Sequence, residues 1–466
     1  MKAQKSTLLL AFYGDDLTGS TDALESLTLA GIKSVLFLQP PRPGTLARYR
    51  GIRAVGVAGS TRAMKSDTLG DTLRAAFSAL KALNPRHVHY KVCSTFDSSP
   101  AIGSIGRALD VGAEVFHSRF VPVLGGAPAL GRYCVFGNLF ARADIGGGGR
   151  IHRLDRHPSM SRHPVTPALE SDLRQHLALQ TRRRIELFDV LNLALPAGAS
   201  SRALDQAIAD GAEIVLFDAI DSEHLGRIGE LLEARVAGDR PFFSVGPSSV
   251  EAAFGARWRR ESRKKPFRMR PAPGTGRPLL VASGSCSAVT EGQIAWSLAN
   301  GFAGVEIDTG AVLKSDALPG PDAAAAAAAI AHLRAGRGVI LHTSLGAADV
   351  RLREAWELSQ RRGIGREQVT SRLGGALGLT MWQILSQVSL PRVAIAGGDT
   401  SSYAARALGI EALEMIARLT PGAPLCRAHA PGSPVDGREI AFKGGQVGGR
   451  DYFRLLAAGR SKTSLA

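Results

Sequence analysis

The sequence predicts an α/β protein of two domains, each a mainly parallel sheet flanked by helices. Three observations carry this. Short, almost continuous apolar runs alternate with helical patterns through both halves of the chain, the signature of strands covered on both faces. The length of 466 residues exceeds what one ordinary core accommodates. A stretch after Phe254, GARWRRESRKKPFRMRPAPGTGRP, is rich in Arg, Lys, Pro and Gly and reads as a linker. The expected division is a first domain over 1–256, a linker over 257–277 and a second domain over 278–466.

In the first half, TLLLAFYGDDLTGSTD (Thr7 to Asp22) holds a strand around Leu8, Leu9, Leu10 and Phe12. At its carboxyl end stand Asp15 and Asp16, where the crevice of an open α/β sheet lies. Ser20 or Thr21 is expected to cap the following helix, which carries Ala23, Leu24, Leu27 and Ala30 and stops at Gly31. Strands over Val35 to Leu38 and Ala54 to Ala58, a helix over about Ser66 to Leu83, and a strand over Val88 to Cys93 continue the rhythm. Between Phe116 and Ile151 short β-like pieces such as Tyr133 to Phe136 replace helices, and Gly146 to Gly149 reads as a loop. A helix is expected from about Pro167 to Leu177, then strands at Ile185 to Val190, Ile214 to Phe217 and Phe242 to Val245.

The second half alternates again: Leu279 to Ala282, Val305 to Ile307, a helix from Asp322 through seven alanines to Ala335, Val339 to Leu341, and Val393 to Ala396. Three glycine loops follow apolar strands. They are SGSCSAVT with Ser283 and Ser285, GGDTSSYAARAL with Gly397, Gly398, Asp399 and Thr400, and KGGQVGG with Gly444, Gly445 and Gln446. Glycines let a backbone approach a phosphate, hydroxyls donate to it, and a helix start near Ser401 or Ser402 offers free amides. Neither GxxxxGK[ST] nor GxGxxG is present; the set favours a nucleotide phosphate.

Lys plus Arg number 57 against 41 Asp plus Glu, a net charge of +16, which invites a nucleic-acid reading. Aromatic residues are only 6%, and the basic residues are scattered except for Arg257 to Arg270, so anionic small molecules explain the charge equally well. Cys93, Cys134, Cys286 and Cys426 have neither CxxC nor metal-like spacing. No apolar stretch is long enough to span a bilayer, and the expectation is a cytoplasmic, unanchored protein without nucleic-acid or membrane partners.

Five motifs in order, GDDLTGSTDAL, YKVCSTFDSS, SRHPVTP, SGSCS and GGDTSSYAARALG, resemble those of the four-carbon acid sugar kinases over nearly the whole chain. The resemblance implies a sugar-acid-binding first domain, an ATP-binding second domain, and magnesium-dependent phosphoryl transfer to a terminal hydroxyl in the cleft between them. It places Ser94, Thr95 and Asp97 with the sugar acid. Members act on threonate, erythronate, 3-oxo-tetronates and branched acids such as 3-oxo-isoapionate. This chain departs from the simpler pattern: DRHPSMSRHPVTP stands where relatives have MRxHP, Ala101 to Ser104 lacks a glycine-asparagine pair, and KGGQVGG replaces the commoner KSGNFG. The substrate within the class is therefore open, and a homodimer is an open alternative to a monomer.

The chemistry assigns roles beside that resemblance. A carboxylate wants a planar cationic fork, which Arg62 and Arg162 offer, with Lys91 near a strand end. Asp15, Asp16 and Asp97 are candidates to orient or deprotonate the attacking hydroxyl, with Asp16 favoured as base and Asp15 beside it, and His163 could bind a substrate hydroxyl. The metal ligands are not read from the sequence. Two other classes stay open: a nicotinamide-dependent sugar-acid oxidoreductase, which lacks its dinucleotide fingerprint here, and a nonenzymatic acid- or nucleic-acid-binding protein.

Overall fold

The structure, a computed structural model, describes residues 8–143, 149–163, 165–236, 240–262, 274–315 and 319–460. They divide into two compact units, 8–262 and 274–460. All of the expected loop Gly146 to Gly149 except Gly149, and most of the basic stretch, lie outside the described residues.

The strands of the first unit are β1 (Leu10–Gly14), β2 (Ser34–Phe37), β3 (Ala54–Ala58), β4 (His87–Lys91), β5 (Val121–Leu124), β6 (Arg132–Val135), β7 (Asn138–Arg142), β8 (Ile151–Arg153), β9 (Ile185–Phe188), β10 (Ile214–Phe217) and β11 (Phe242–Gly246). A parallel sheet runs in the order β2-β3-β1-β4-β11-β5-β10-β9. Its central strands, buried along their length, are the apolar runs read from the sequence. The register sets Gly14 beside both Ala58 and Lys91, and Lys91 beside Gly246, so these strands end in one row. Tyr13, Phe77, Tyr90, Phe116 and Phe243 pack edge-on and stacked under one face. Strands β6, β7 and β8 form a separate antiparallel sheet.

Several boundaries differ from expectation. The first helix, Leu17–Leu29, is capped by Asp16 rather than Ser20 or Thr21, because the Asp16 carboxylate accepts the Gly19 amide at 2.7 Å. The helix expected from Pro167 begins at Leu173. Residues before it are drawn into strand-like pairing, with the Leu139 amide donating to Ser171 O at 2.8 Å, and Asp172 caps the helix. The helix Ser249–Ser262 runs through the first residues of the expected linker, and Trp258 is buried there, stacked on Phe254.

The second unit contains β12 (Leu280–Ser283), β13 (Ala303–Glu306), β14 (Val339–His342), β15 (Arg392–Ala396), β16 (Ala412–Thr420), β17 (Ala423–His429) and β18 (Glu439–Lys443). The order is β13-β14-β12-β15-β18-β17-β16. The first five are parallel, and the hairpin β16-β17 adds antiparallel strands that the sequence reading did not anticipate. Helices Val350–Arg361 and Arg366–Leu385 were likewise unanticipated. The register aligns Glu306, His342, Ser283, Ala396 and Lys443 along one edge, so the loops after five parallel strands leave from the same side. Each unit is thus a mainly parallel α/β layer, as expected.

Candidate active site

In the first unit, the loop after β1 brings Asp15 and Asp16 against Arg62, which lies in the short turn Thr61–Ala63 beyond β3. Arg62 grips Asp15 with Nε at 3.1 Å and Nη2 at 2.8 Å, and its Nη1 donates to Asp16 Oδ2 at 2.9 Å. The side-on fork expected to receive a substrate carboxylate is therefore occupied by Asp15. Arg62, expected to hold a substrate carboxylate, here holds two buried aspartates together.

Asp16, the expected base, accepts from three donors. Its Oδ1 accepts the Gly19 amide, and its Oδ2 accepts Thr18 Oγ1 at 2.6 Å as well as Arg62. Burial opposes ionisation of Asp16, but Arg62, Lys91, the Thr18 hydroxyl and the Gly19 amide outweigh it and hold the carboxyl below its ordinary value. Such a carboxylate is an anchor and a poor proton acceptor. Asp15 moves the other way, raised chiefly by burial, with Arg62 opposing and Asp16 reinforcing the rise. Lys91, last residue of β4, is buried and donates to Val92 O at 3.0 Å. A Cβ on Gly19 would come within 2.6 Å of its Nζ, so the ammonium lies over the first turn of the helix that Asp16 caps.

From Asp15 a chain of contacts leads outward. The Cys93 amide donates to Asp15 Oδ2 at 3.2 Å, Cys93 Sγ lies 3.0 Å from Thr95 Oγ1, and Thr95 Oγ1 donates to Asp97 Oδ1 at 2.7 Å. Burial, then the charge of Asp97, pushes the Cys93 thiol up to about 11, so it stays protonated. Asp97 is half-buried, and among the described residues its Oδ2 has no hydrogen-bond partner. Ser94 is buried in the same loop.

Arg162 and His163 do not join this cluster through any hydrogen bond or ion pair among the described residues. Arg162 is exposed in the turn Met160–Arg162, and His163 Nδ1 accepts the Thr166 amide at 3.1 Å. That ring nitrogen is spent locally, which leaves Nε2 as the atom that a substrate hydroxyl would meet.

In the second unit the three glycine loops do meet. A Cβ on Gly284 would lie 2.6 Å from Thr400 Oγ1, so the loops after β12 and β15 are in close contact. Gly397 has φ +148°, and a Cβ there would also collide with Thr400 Oγ1. Gly398 differs: a Cβ on it meets nothing within 4 Å, so its lack of a side chain leaves open space at the start of the helix Asp399–Ala407. Among the described residues the Ser283 and Thr400 hydroxyls have no hydrogen-bond partner, although the Ser283 side chain is buried. Ser285 lies 3.1 Å from Thr290 Oγ1, and Ser287 Oγ donates to Gly445 O at 2.5 Å, tying the first loop to the third.

Two residues that the sequence reading missed hold the third loop. Gln293 Nε2 lies 3.0 Å from each of Val447 O, Gly448 O and Gly449 O. Lys443 Nζ donates to Thr290 Oγ1 and Gly444 O, both at 2.8 Å, and burial lowers its ionisation to about 7. Its position directly before two glycines at a strand end was a readable signal. Gly444, Gly445 and Gln446 are half-buried at this edge.

The two units match distinct family models: a sugar-binding N-terminal domain over residues 10–254 and a nucleotide-binding C-terminal domain over residues 280–453. A 3-oxo-isoapionate kinase from Paraburkholderia graminis is 43% identical over 455 residues, 97% of this chain and 95% of that one. The chain belongs to the four-carbon acid sugar kinase family. A more distant member, a 3-oxo-tetronate kinase from Cupriavidus necator, is 28% identical over 96% of this chain and 95% of its own. The family fold is also that of a solved Salmonella typhimurium LT2 protein, with TM-score 0.71 at 22% identity over 96% of this chain and 98% of that one. A Haemophilus influenzae protein follows at TM-score 0.65 and 20% identity, covering 96% and 99%. At such identities the likeness is one of fold alone.

Proposed function

We propose that the chain is an ATP-dependent kinase that phosphorylates a terminal hydroxyl of a branched 3-oxo acid of the 3-oxo-isoapionate type. The single observation that carries the substrate class is the 43% identity, over almost the full length of both chains, to a 3-oxo-isoapionate kinase. The geometry supports the division of labour. The sugar acid belongs to the edge of the first unit, around Asp15, Arg62, Lys91 and the Ser94 to Asp97 loop. ATP belongs to the edge of the second unit, with its phosphates over Gly397, Gly398 and Gly444 to Gln446, facing the Ser283 and Thr400 hydroxyls. Asp97, with an open carboxylate oxygen, is the group that orients the attacking hydroxyl and accepts its proton.

Magnesium fits as a companion of the nucleotide. Among the described residues no three metal-ligating side chains cluster, and a cation bound there would take most of its oxygen ligands from phosphates and water. The Ser283 and Thr400 hydroxyls and the Asp399 carboxylate are the oxygen donors at that edge. When bound, the ion neutralises phosphate charge as it develops in transfer. The domain division follows the same lines, with the first domain ending after the helix Ser249–Ser262 and the second beginning before β12.

The test is a coupled ADP-release assay over 3-oxo-isoapionate, 3-oxo-tetronate, threonate and erythronate. The highest kcat/KM is expected for 3-oxo-isoapionate; a preference for an unbranched acid would move the substrate assignment, and NADH formation from NAD with no ADP release from ATP would end the kinase reading. No helix among the described residues is long and apolar enough to cross a membrane.

A further inference from the structure

The first unit contains a buried arginine that none of its structural contacts explains. Arg132 opens β6, in the segment that follows the carboxyl end of β5, and is only 5% exposed. Its Nη1 donates to Leu130 O at 2.6 Å. Among the described residues it makes no ion pair, its Nη2 makes no hydrogen bond, and its Nε is a buried donor without a partner. The second unit shows how this fold treats a buried arginine that serves structure alone. Arg392, 1% exposed, spends Nε on Glu439 at 2.7 Å, Nη1 on Leu456 O at 2.5 Å and Nη2 on Gly274 O at 3.0 Å. A guanidinium taken from water with its side-on fork unspent is costly unless an anion arrives to complete it.

The surroundings say where that anion sits. The titratable groups facing Arg132 are Cys93, Asp97, Asp22 and Tyr133, and Cys93 is also a neighbour of Arg62. Arg132 therefore borders the same loop, Cys93 to Asp97, that leads out from Asp15. It reaches that loop from the β5 side of the sheet, opposite to Arg62, which comes from β3. Arg62 is unsuited to grip a substrate carboxylate in the same side-on way, since Asp15 already holds its Nε and Nη2. Burial, the largest influence on Arg132, works against its charge, and an approaching carboxylate would reverse that balance.

We infer that Arg132 is the residue that binds the carboxylate of the sugar acid, through its Nε and Nη2, and thereby selects acids over neutral sugars. This rests on the reading that the first unit holds a sugar acid, and it supplies the planar fork that the sequence had assigned to Arg62 and Arg162.

The experiment measures steady-state kinetics with 3-oxo-isoapionate for the wild-type chain, Arg132→Lys and Arg132→Gln, each checked for a native melting transition. The acid KM is expected to rise about 10- to 100-fold in Arg132→Lys, because two charge-assisted hydrogen bonds are lost while the charge remains. It should rise further in Arg132→Gln, and the KM for ATP should be unchanged in both. In parallel, calorimetry compares erythronate with erythritol, which differs by a hydroxymethyl in place of the carboxylate. The wild-type preference for the acid should collapse in Arg132→Lys, while erythritol binding stays the same. An unaltered acid KM and an unaltered preference in folded variants overturn the assignment and leave the kinase reading standing. A wild-type chain that turns over no four-carbon acid with ATP removes both. If neither variant folds, a crystal structure of the wild-type chain with 3-oxo-isoapionate decides: a carboxylate bound away from Arg132 contradicts the inference.

Discussion

Arg62 holds Asp15 through two parallel hydrogen bonds of 3.1 and 2.8 Å, between a mostly buried guanidinium and a carboxylate that is almost fully buried. The pair locks the loop after β1 to the turn after β3, and with Asp16 it forms a rigid floor under the candidate sugar-acid site. Arg62→Lys keeps the charge but cannot reproduce the fork, and is expected to lower folding stability by about 1–3 kcal/mol. Arg62→Ala leaves two adjacent buried carboxylates without their cation and should cost about 3–5 kcal/mol. Urea denaturation of both variants checks this; wild-type stability in Arg62→Ala would show that the aspartates do not depend on it.

Asp97→Asn is expected to reduce turnover by about 10²-fold or more, because the carboxylate oxygen left open by Thr95 is the proton acceptor of the proposed reaction. ATP affinity should be unaffected. Single-turnover kinetics with saturating acid measures the chemical step, and an unchanged rate would return the role to Asp15.

Gly398→Val separates a phosphate cradle from a plain turn. A side chain at this position enters open space, so the variant should fold with a wild-type melting temperature, yet bind ATP at least about 10-fold more weakly because a phosphate can no longer approach the amides. Gly397→Val, by contrast, forces a positive-φ residue against Thr400 and should destabilise the unit itself. Calorimetric titration beside thermal melts checks both, and full ATP affinity in Gly398→Val would exclude this loop from the phosphate site.

The strands that end at these sites were legible because buried parallel strands are continuous apolar runs, and the loops were legible because glycines and hydroxyls cluster directly after them. What could not be read was partnership across the sheet. Asp15 and Arg62 are 47 residues apart, and only the register of β1 beside β3 makes them neighbours. Arg132 carried no signal at all: in a chain rich in arginine, nothing local distinguishes a buried one from a solvated one. The cap at Asp16 was not separable from a catalytic role in the sequence, since a carboxylate at a strand-to-helix turn suits both tasks. The hairpin β16-β17 escaped notice because β16 alternates buried and partly exposed residues, and β17, although largely buried, is interrupted by Pro424 and Arg427 and lacks a continuous apolar run.

Lys443 predicts a pH effect on nucleotide binding. Burial lowers its ionisation to about 7, so above that pH the free protein holds much of it as the neutral amine. A bound polyphosphate favours the ammonium, so ATP binding at pH 8 should take up as much as about one proton, whereas at pH 6 the lysine is already charged and contributes none. Titration in two buffers of different ionisation enthalpy reads this directly. Lys443→Met should abolish the uptake, and equal uptake in that variant would assign it to another group.

Movement of a phosphoryl group from ATP to a sugar acid is read by phosphorus NMR of the pure protein with ATP, magnesium and 3-oxo-isoapionate. A new phosphomonoester signal is expected that grows with ADP, requires the acid and, at acid concentrations below the wild-type KM, grows far more slowly in Arg132→Gln. ADP formation accompanied only by inorganic phosphate, or no reaction with any acid of the class, would contradict it.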